Sequence, residues 1–228
     1  TNYKYSIRCD IYMTEEKVEQ KKGTTTVGIV CKDGIVLAAD KRASMGWLIA
    51  NKEIEKIFQV SNWIAMTVAG GVSDAFSVSK LLKAELDLYR LNSGIEPTVS
   101  VAANLLGSIV YSSFKSFIPY MTQLIIGGQD DNNAFSIYDI DPSGAALKNA
   151  KFTTTGSGSP MVYGVLEDSY RDGMSTEEGV QLAIRCVSAA MRRDVFSGEG
   201  IDVIIIDKKG FRRVEKDKIA GIIKSTSK

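Results

Sequence analysis

The sequence predicts an α+β fold, a four-layer αββα sandwich with two antiparallel β-sheets packed face to face between two helix layers. Three observations predict it. The β-branched apolar runs arrive in hairpin pairs split by short turn signals, not singly between helices, which argues against a doubly wound parallel sheet. Two stretches with apolar residues at helical spacing separate the strand groups, and a second such pair follows the later strands. The resulting order is strands, two helices, strands, two helices, strands, and helix pairs placed over packed sheets would bury both faces of each sheet.

The elements follow in chain order. Thr24–Lys32 and Gly34–Lys41 form a first hairpin around the tight turn Lys32-Asp33-Gly34. Ile57–Val60 and Trp63–Ala69 form a second around Ser61-Asn62, and the front half reads as an antiparallel meander. Ala75, Val78, Leu82, Leu86 and Tyr89 recur at gaps of three and four, one apolar stripe on a helix that ends near Gly94. A second helix starts after Pro97 with Thr98 at its N-cap or first turn and runs to about Phe117. Val99, Val101, Leu105, Leu106, Ile109 and Val110 make it apolar around most of its circumference, so it is expected to be buried between layers.

Strands return at Gln123–Gly128, Ala134–Asp139 and about Ala145–Thr155, with Asp141-Pro142-Ser143-Gly144 as a turn. A third helix is expected from Pro160 to about Arg171. A fourth opens on Ser175-x-x-Glu178, a capping box, and carries Val180, Ile184, Val187 and Met191 on one face. Ile201–Asp207, Phe211–Glu215 and a short terminal helix close the chain. Residues 1–23 differ: three tyrosines among charges, then the polar stretch Thr14–Lys22, with no apolar segment of a secretory signal. They are expected to form a poorly ordered leader, with Met13 as a candidate natural start, ahead of a single domain over residues 24–228.

Composition removes several function classes. Twenty-eight Lys and Arg face 27 Asp and Glu, a net charge of +1, so no basic field invites nucleic acid or an anionic membrane. Apolar runs such as Ile201–Ile206, broken by Asp202, fall well short of the ~20 residues that span a bilayer. Cys9, Cys31 and Cys186 are odd in number and form no CxxC, which suggests neither a disulfide framework nor a zinc site. Histidine is absent altogether, which excludes Ser-His-Asp, Cys-His and HExxH chemistry. A base, if one is needed, must be a carboxylate, a lysine or an α-amine.

Gly23-Thr24-Thr25-Thr26-Val27-Gly28 on its own reads as a threonine-rich edge strand. Its context changes that. A polar leader ends in Gly23, and cleavage there would expose Thr24 with a hydroxyl and a free α-amine on one residue. An α-amine has an unperturbed pKa of ~7.7–8.0 and can serve as a base near neutrality. Asp40 and Lys56 follow at equal intervals of sixteen residues, and Ala69-Gly70-Gly71 stands between a strand and a helix. Taken singly, Asp40 and Lys56 are ordinary surface charges.

Together these segments resemble a proteasome β-type subunit, an N-terminal-nucleophile threonine protease, and the archaeal form most closely. The resemblance is carried by Gly23–Gly28, Ala39-Asp40-Lys41-Arg42-Ala43-Ser44, Lys56-Ile57-Phe58, Ala69-Gly70, Thr155-Gly156-Ser157-Gly158-Ser159-Pro160, and Arg193-Asp194 with Ser197-Gly198 and Gly200-Ile201-Asp202. It extends from Gly23 to the C-terminus. The resemblance implies that Thr24 is the nucleophile and that Lys56 sits beside it, its charge lowering the pKa of the amine and hydroxyl. Asp40 would pair with Lys56, and the Gly70 N–H would donate to the oxyanion. Ser157, Asp194 and Ser197 would orient the nucleophile and its amine, although Ser157 and Ser197 alone read as loop residues.

By the same resemblance, Ser44 and Gly70 would hydrogen-bond an extended peptide, and Ala43, Ile54, Phe58, Val68 and Val72 would line the primary side-chain pocket. No acid or base stands among those five, which favours cleavage after hydrophobic residues. With Gly23–Thr24 intact the chain would be a latent precursor that activates by self-cleavage. Ser44 stands where threonine is the commoner family choice and keeps the hydroxyl. The resemblance further implies a cytoplasmic assembly: a seven-membered β ring paired face to face, flanked by α-type rings, with unfolded polypeptide delivered by an ATP-driven cap. It implies no cofactor, metal, nucleic acid or membrane. Two other readings remain, a non-catalytic ring subunit and the shorter bacterial two-ring peptidase. Gly23, Thr24, Asp40 and Lys56 are all present, which weighs against the first. The Asp194–Ser197 region weighs against the second.

Overall fold

A computed structural model describes residues 23–226 of the chain. The expected leader, with Cys9 and Met13, therefore lies outside the described residues, apart from Gly23. The first sheet has the order β10-β1-β2-β11-β12, built from β1 (Thr25–Cys31), β2 (Gly34–Asp40), β10 (Phe152–Gly156), β11 (Ile201–Asp207) and β12 (Gly210–Arg213). The second has the order β5-β6-β7-β8-β9, built from β5 (Ile57–Ser61), β6 (Ile64–Gly70), β7 (Thr122–Gln129), β8 (Phe135–Ile140) and β9 (Ala146–Asn149). Every pairing in both is antiparallel. A separate short hairpin joins β3 (Ala43–Met45) to β4 (Leu48–Asn51).

Side-chain alternation builds the layers. In β2, Ile35, Leu37 and Ala39 point between the sheets, where they meet Ile57, Ala65, Ile125, Ile137, Ile204 and Ile206. Val36 and Ala38 point the other way, onto α3 (Ser159–Ser169) and α4 (Thr176–Met191), through Val162, Leu166, Ala183 and Val187. The C-terminal α5 (Lys216–Thr226) adds Ile219 to that layer. On the second sheet, Ile64, Met66, Leu124 and Ile126 face α1 (Val72–Ser93) and α2 (Val99–Phe114) through Val78, Leu82, Ala103 and Leu106. The four-layer αββα sandwich is the observed architecture.

The helix ends follow from local chemistry. The α1 helix stops at Gly94, whose φ of 70° is left-handed. Thr98 caps α2 by accepting from the Val101 N–H at 3.3 Å. The Ser175–Glu178 capping box opens α4 as expected.

Four expectations are corrected. The front half is not one meander: β1 and β2 enter the first sheet and β5 and β6 the second, with the β3–β4 hairpin bridging the change. The expected strand at about Ala145–Thr155 is two, because Ala150 and Lys151 carry the chain from β8's partner β9 to β1's partner β10. The α2 helix is an outer layer, not a buried one. Ser100, Asn104, Ser108 and Ser112 form a polar seam along it, with serine and asparagine side chains donating to carbonyls four residues back. Tyr89, expected on the α1 stripe, is exposed.

The inter-sheet layer generates a prediction. Ile125 is fully buried at its centre, so Ile125→Ala is expected to destabilise the chain by about 2–5 kcal/mol. Equal thermal and denaturant midpoints for the variant and the parent would contradict the packing described.

Candidate active site

The Asp40 carboxylate, at the end of β2, has no exposed surface. A buried charge is tolerated only when its lone pairs are taken up, and here four donors do so. Oδ1 accepts from the Thr25 N–H at 2.9 Å and the Lys56 Nζ at 2.7 Å. Oδ2 accepts from the Arg42 N–H at 3.1 Å and the Gly198 N–H at 2.9 Å. One side chain thus ties the start of β1, the approach to β5, the exit of β2 and the loop before β11. Lys56 is itself buried, and burial pulls its pKa below the usual lysine value while the Asp40 charge pulls it back up.

A second network lies on the other face of the Thr24 peptide unit. Asp194 Oδ2 accepts from Ser157 Oγ and Ser197 Oγ, each at 2.6 Å, and Asp194 Oδ1 accepts from the Phe196 N–H at 3.2 Å. Each serine has one proton to give, and a carboxylate only accepts. Ser197 Oγ therefore receives the Thr25 hydroxyl proton across their 2.7 Å contact. Ser157, its proton spent on Asp194, makes only a long 3.4 Å approach to the Thr24 carbonyl oxygen. Thr25 was not singled out in the sequence. Its signal was strand alternation, which turns it away from the neighbouring Thr24 and Thr26.

Between the two networks stands Thr24, nearly buried, with Oγ1 donating to the Gly23 carbonyl oxygen at 2.8 Å. Gly23 has no room for a side chain: a Cβ there would lie 2.1 Å from Phe196 Cβ and 2.5 Å from Ser157 Oγ. Two cavities meet at Gly23, Thr24 and Gly70. One, of about 210 Å³, is lined by Ala43, Ser44, Ile54, Val68, Val72 and Phe76 among others. The other, of about 430 Å³, lies toward Met121, Gln123 and Ser157. Ser44 Oγ is buried without a hydrogen-bond partner.

The structure thus brings Thr24, Asp40, Lys56, Ser157, Asp194 and Ser197 together, with Ala43, Ser44, Ile54, Val68, Gly70 and Val72 around the first cavity. Phe58 is a correction. It does not line that cavity but packs edge-to-face on Phe76 at 5.6 Å, and Phe76 is the aromatic residue that reaches the wall. Backbone geometry requires glycine at position 70. Its φ of 137° suits glycine alone, and a Cβ would stand 2.2 Å from the Met121 carbonyl oxygen. The wall is not free of charge either, since Arg42, Glu55 and Lys56 all line it.

An αββα sandwich with a glycine-threonine junction held between two buried carboxylate networks defines the class of protein. The chain matches the family model described as proteasome subunit over residues 20–206. It is 48% identical over 202 residues to the proteasome subunit beta of Ferroglobus placidus, spanning 89% of this chain and 95% of that protein. It is 49% identical over 199 residues to that of Methanothermobacter thermautotrophicus, spanning 87% and 93%. For Methanococcus maripaludis the figures are 42% over 215 residues, 94% and 97%. The chain belongs to the proteasome subunit family, as a β-type subunit.

The hydroxyl relay is testable. Thr25→Val leaves Ser197 Oγ buried without its donor and is expected to cost about 1–3 kcal/mol of stability, while Thr25→Ser keeps the donor and recovers most of it. Thermal unfolding of the three proteins checks this, and equal losses in both variants would contradict the relay.

Proposed function

We propose that the chain is the catalytic β subunit of a proteasome core particle, a threonine endopeptidase that first cleaves its own Gly23–Thr24 bond. The observation that carries the reading is Thr24 Oγ1 poised 2.8 Å from the Gly23 carbonyl oxygen, in a cavity also lined by Lys56, which is paired with the buried Asp40 behind it. In self-cleavage Thr24 Oγ attacks the Gly23 carbonyl carbon, the Thr24 nitrogen leaves as an amine, and an ester joins Gly23 to the hydroxyl. Water hydrolyses the ester, giving a Gly23 carboxylate and a free Thr24 hydroxyl and α-amine.

Before that step the Thr24 nitrogen is an amide and accepts no proton. Lys56 is the lysine lining the cavity, and its lowered pKa suits it to take the hydroxyl proton in the precursor. After cleavage the α-amine takes over as base, and protonated Lys56 depresses its pKa. Thr24 Oγ then attacks the scissile carbonyl of a substrate, the Gly70 N–H donates to the oxyanion, and water releases the acyl group. Asp194, Ser157 and Ser197 hold the Thr24 peptide unit in place.

Substrate main chain would add to Ser44 and Gly70 as an extra strand. Ala43, Ile54, Val68, Val72 and Phe76 give a cavity suited to an apolar side chain at P1, the residue on the amino side of the scissile bond. We infer the rest of the assembly from the family. It comprises a seven-membered β ring paired with a second, flanking α-type rings, an ATP-driven cap and unfolded polypeptide, in the cytoplasm. The chemistry needs no metal or cofactor.

Intact mass and N-terminal sequencing after assembly with an α-type partner test this reading. The wild-type chain is expected to begin at Thr24, and Thr24→Ala to keep its leader. Survival of the leader on the wild-type chain would favour the non-catalytic ring subunit. The base makes a further prediction. Because neutral Lys56 is the working form in the precursor, leader loss should speed up as pH rises, with a midpoint below the ordinary 10.5. Lys56→Met should slow it by roughly 100-fold or more. A rate independent of pH and of Lys56 would exclude this role.

A further inference from the structure

Three charged residues line the cavity beside Thr24: Arg42, Glu55 and Lys56. Each is bound to a counter-charge that does not line it. Arg42 holds Glu199 at 3.2 Å and the Val195 carbonyl at 2.7 Å, and Lys56 holds Asp40 at 2.7 Å. Glu55, the acid of the three, accepts from the Arg213 guanidinium. The apolar character of this cavity therefore depends on pairing each of the three charges with a partner outside the lining.

Arg213 is well built for its share. It sits at the end of β12 and also donates to Asp202 Oδ2 at 2.6 Å and to the Ile57 carbonyl at 3.2 Å. The two contacts fix the guanidinium to β11 and β5 independently of Glu55. Arg213, Glu55, Phe58 and Phe76 all line a neighbouring cavity of about 380 Å³. Glu55 and Phe76 line both cavities, so they form the wall between them. Glu55 can thus present its carboxylate to either side, and the anchored arginine decides which.

We propose that Arg213 is a specificity-determining positioning residue that acts from outside the substrate cavity, holding the Glu55 carboxylate away from the P1 side chain. With Arg213 in place, a basic P1 side chain would have to draw Glu55 off a guanidinium that keeps its other two partners. The cavity then discriminates against lysine and arginine. Without Arg213, Glu55 is a wall carboxylate without its counter-charge, while Arg42 and Lys56 on the same wall stay held by Glu199 and Asp40, so its best available partner is a basic P1 group. The fold thus contains a latent second cleavage preference that one ion pair suppresses.

This inference rests on the peptidase reading above. It is tested on the chain assembled with an α-type partner and freed of its leader, using two fluorogenic peptides that differ only in Leu or Arg at P1. The readout is the ratio of kcat/KM for the Arg peptide to that for the Leu peptide. Arg213→Met is expected to raise the ratio about two- to fivefold, the scale of one half-exposed ion pair. Arg213→Gln, which keeps a donor for the Ile57 carbonyl, should do the same and guards against a packing defect in one variant. Adding Glu55→Gln to either must return the ratio to the wild-type value, which a merely structural effect of Arg213 would not do. An unchanged ratio in both variants, or a rise that survives Glu55→Gln, overturns the role of Arg213 and leaves the peptidase reading intact. A wild-type assembly that cleaves neither peptide overturns that reading and this inference with it.

Discussion

The site depends on the buried Asp40 carboxylate. A fully buried charge needs every lone pair engaged, and of the four donors that satisfy this one, Arg42 is local while Thr25, Lys56 and Gly198 come from separate segments of the chain. Meeting that requirement places Thr25, and so Thr24, next to Lys56. It also draws the Gly198 loop over the strand ends, which brings Ser197 and Asp194 within reach of Thr25 and Ser157. The juxtaposition of Thr24, Lys56 and the serine network thus follows from satisfying one charge. Removing any of the four donors would expose a different part of the site to rearrangement.

The sandwich explains why such a carboxylate can be buried at all. Strands β1, β2 and β6 are buried on both faces, so their ends emerge from packed layers directly into the site. In that surrounding, hydrogen bonds and charges are weakly screened, and burial costs Lys56 part of its proton affinity, which suits the base role proposed for it. The cavity on one side of Thr24 is kept apolar by Val68, Val72 and Phe76, while the charges on its wall are engaged elsewhere.

Much of this was legible in the chain itself. The hairpin and helix order defined the layers, and the family resemblance carried by Gly23–Gly28, Asp40, Lys56 and the glycine-serine loops pointed to one site. What was hidden depends on tertiary contact. Nothing local marks Ala150 and Lys151 as the point where the chain leaves one sheet for the other, since the residues on both sides have strand character. The tip of the β3–β4 hairpin carries Met45, Trp47 and Leu48 on an exposed element, which breaks the alternation that reveals strands. Phe58 and Phe76 are both aromatic and near the cavity, and only their packing decides which one reaches it. Thr25 and Arg213 act through partners on remote segments, Ser197 and Glu55, which no spacing rule connects to them.

The most direct test of the account is the ionisation of Lys56, followed by ¹³C-lysine NMR titration of the assembled protein with and without Asp40→Asn. The account predicts a Lys56 pKa below 10.5 that falls further when Asp40 loses its charge, because burial lowers it and Asp40 is the largest influence opposing that. A Lys56 that titrates at or above 10.5, or whose titration ignores Asp40→Asn, would contradict the claim that this buried pair organises the site.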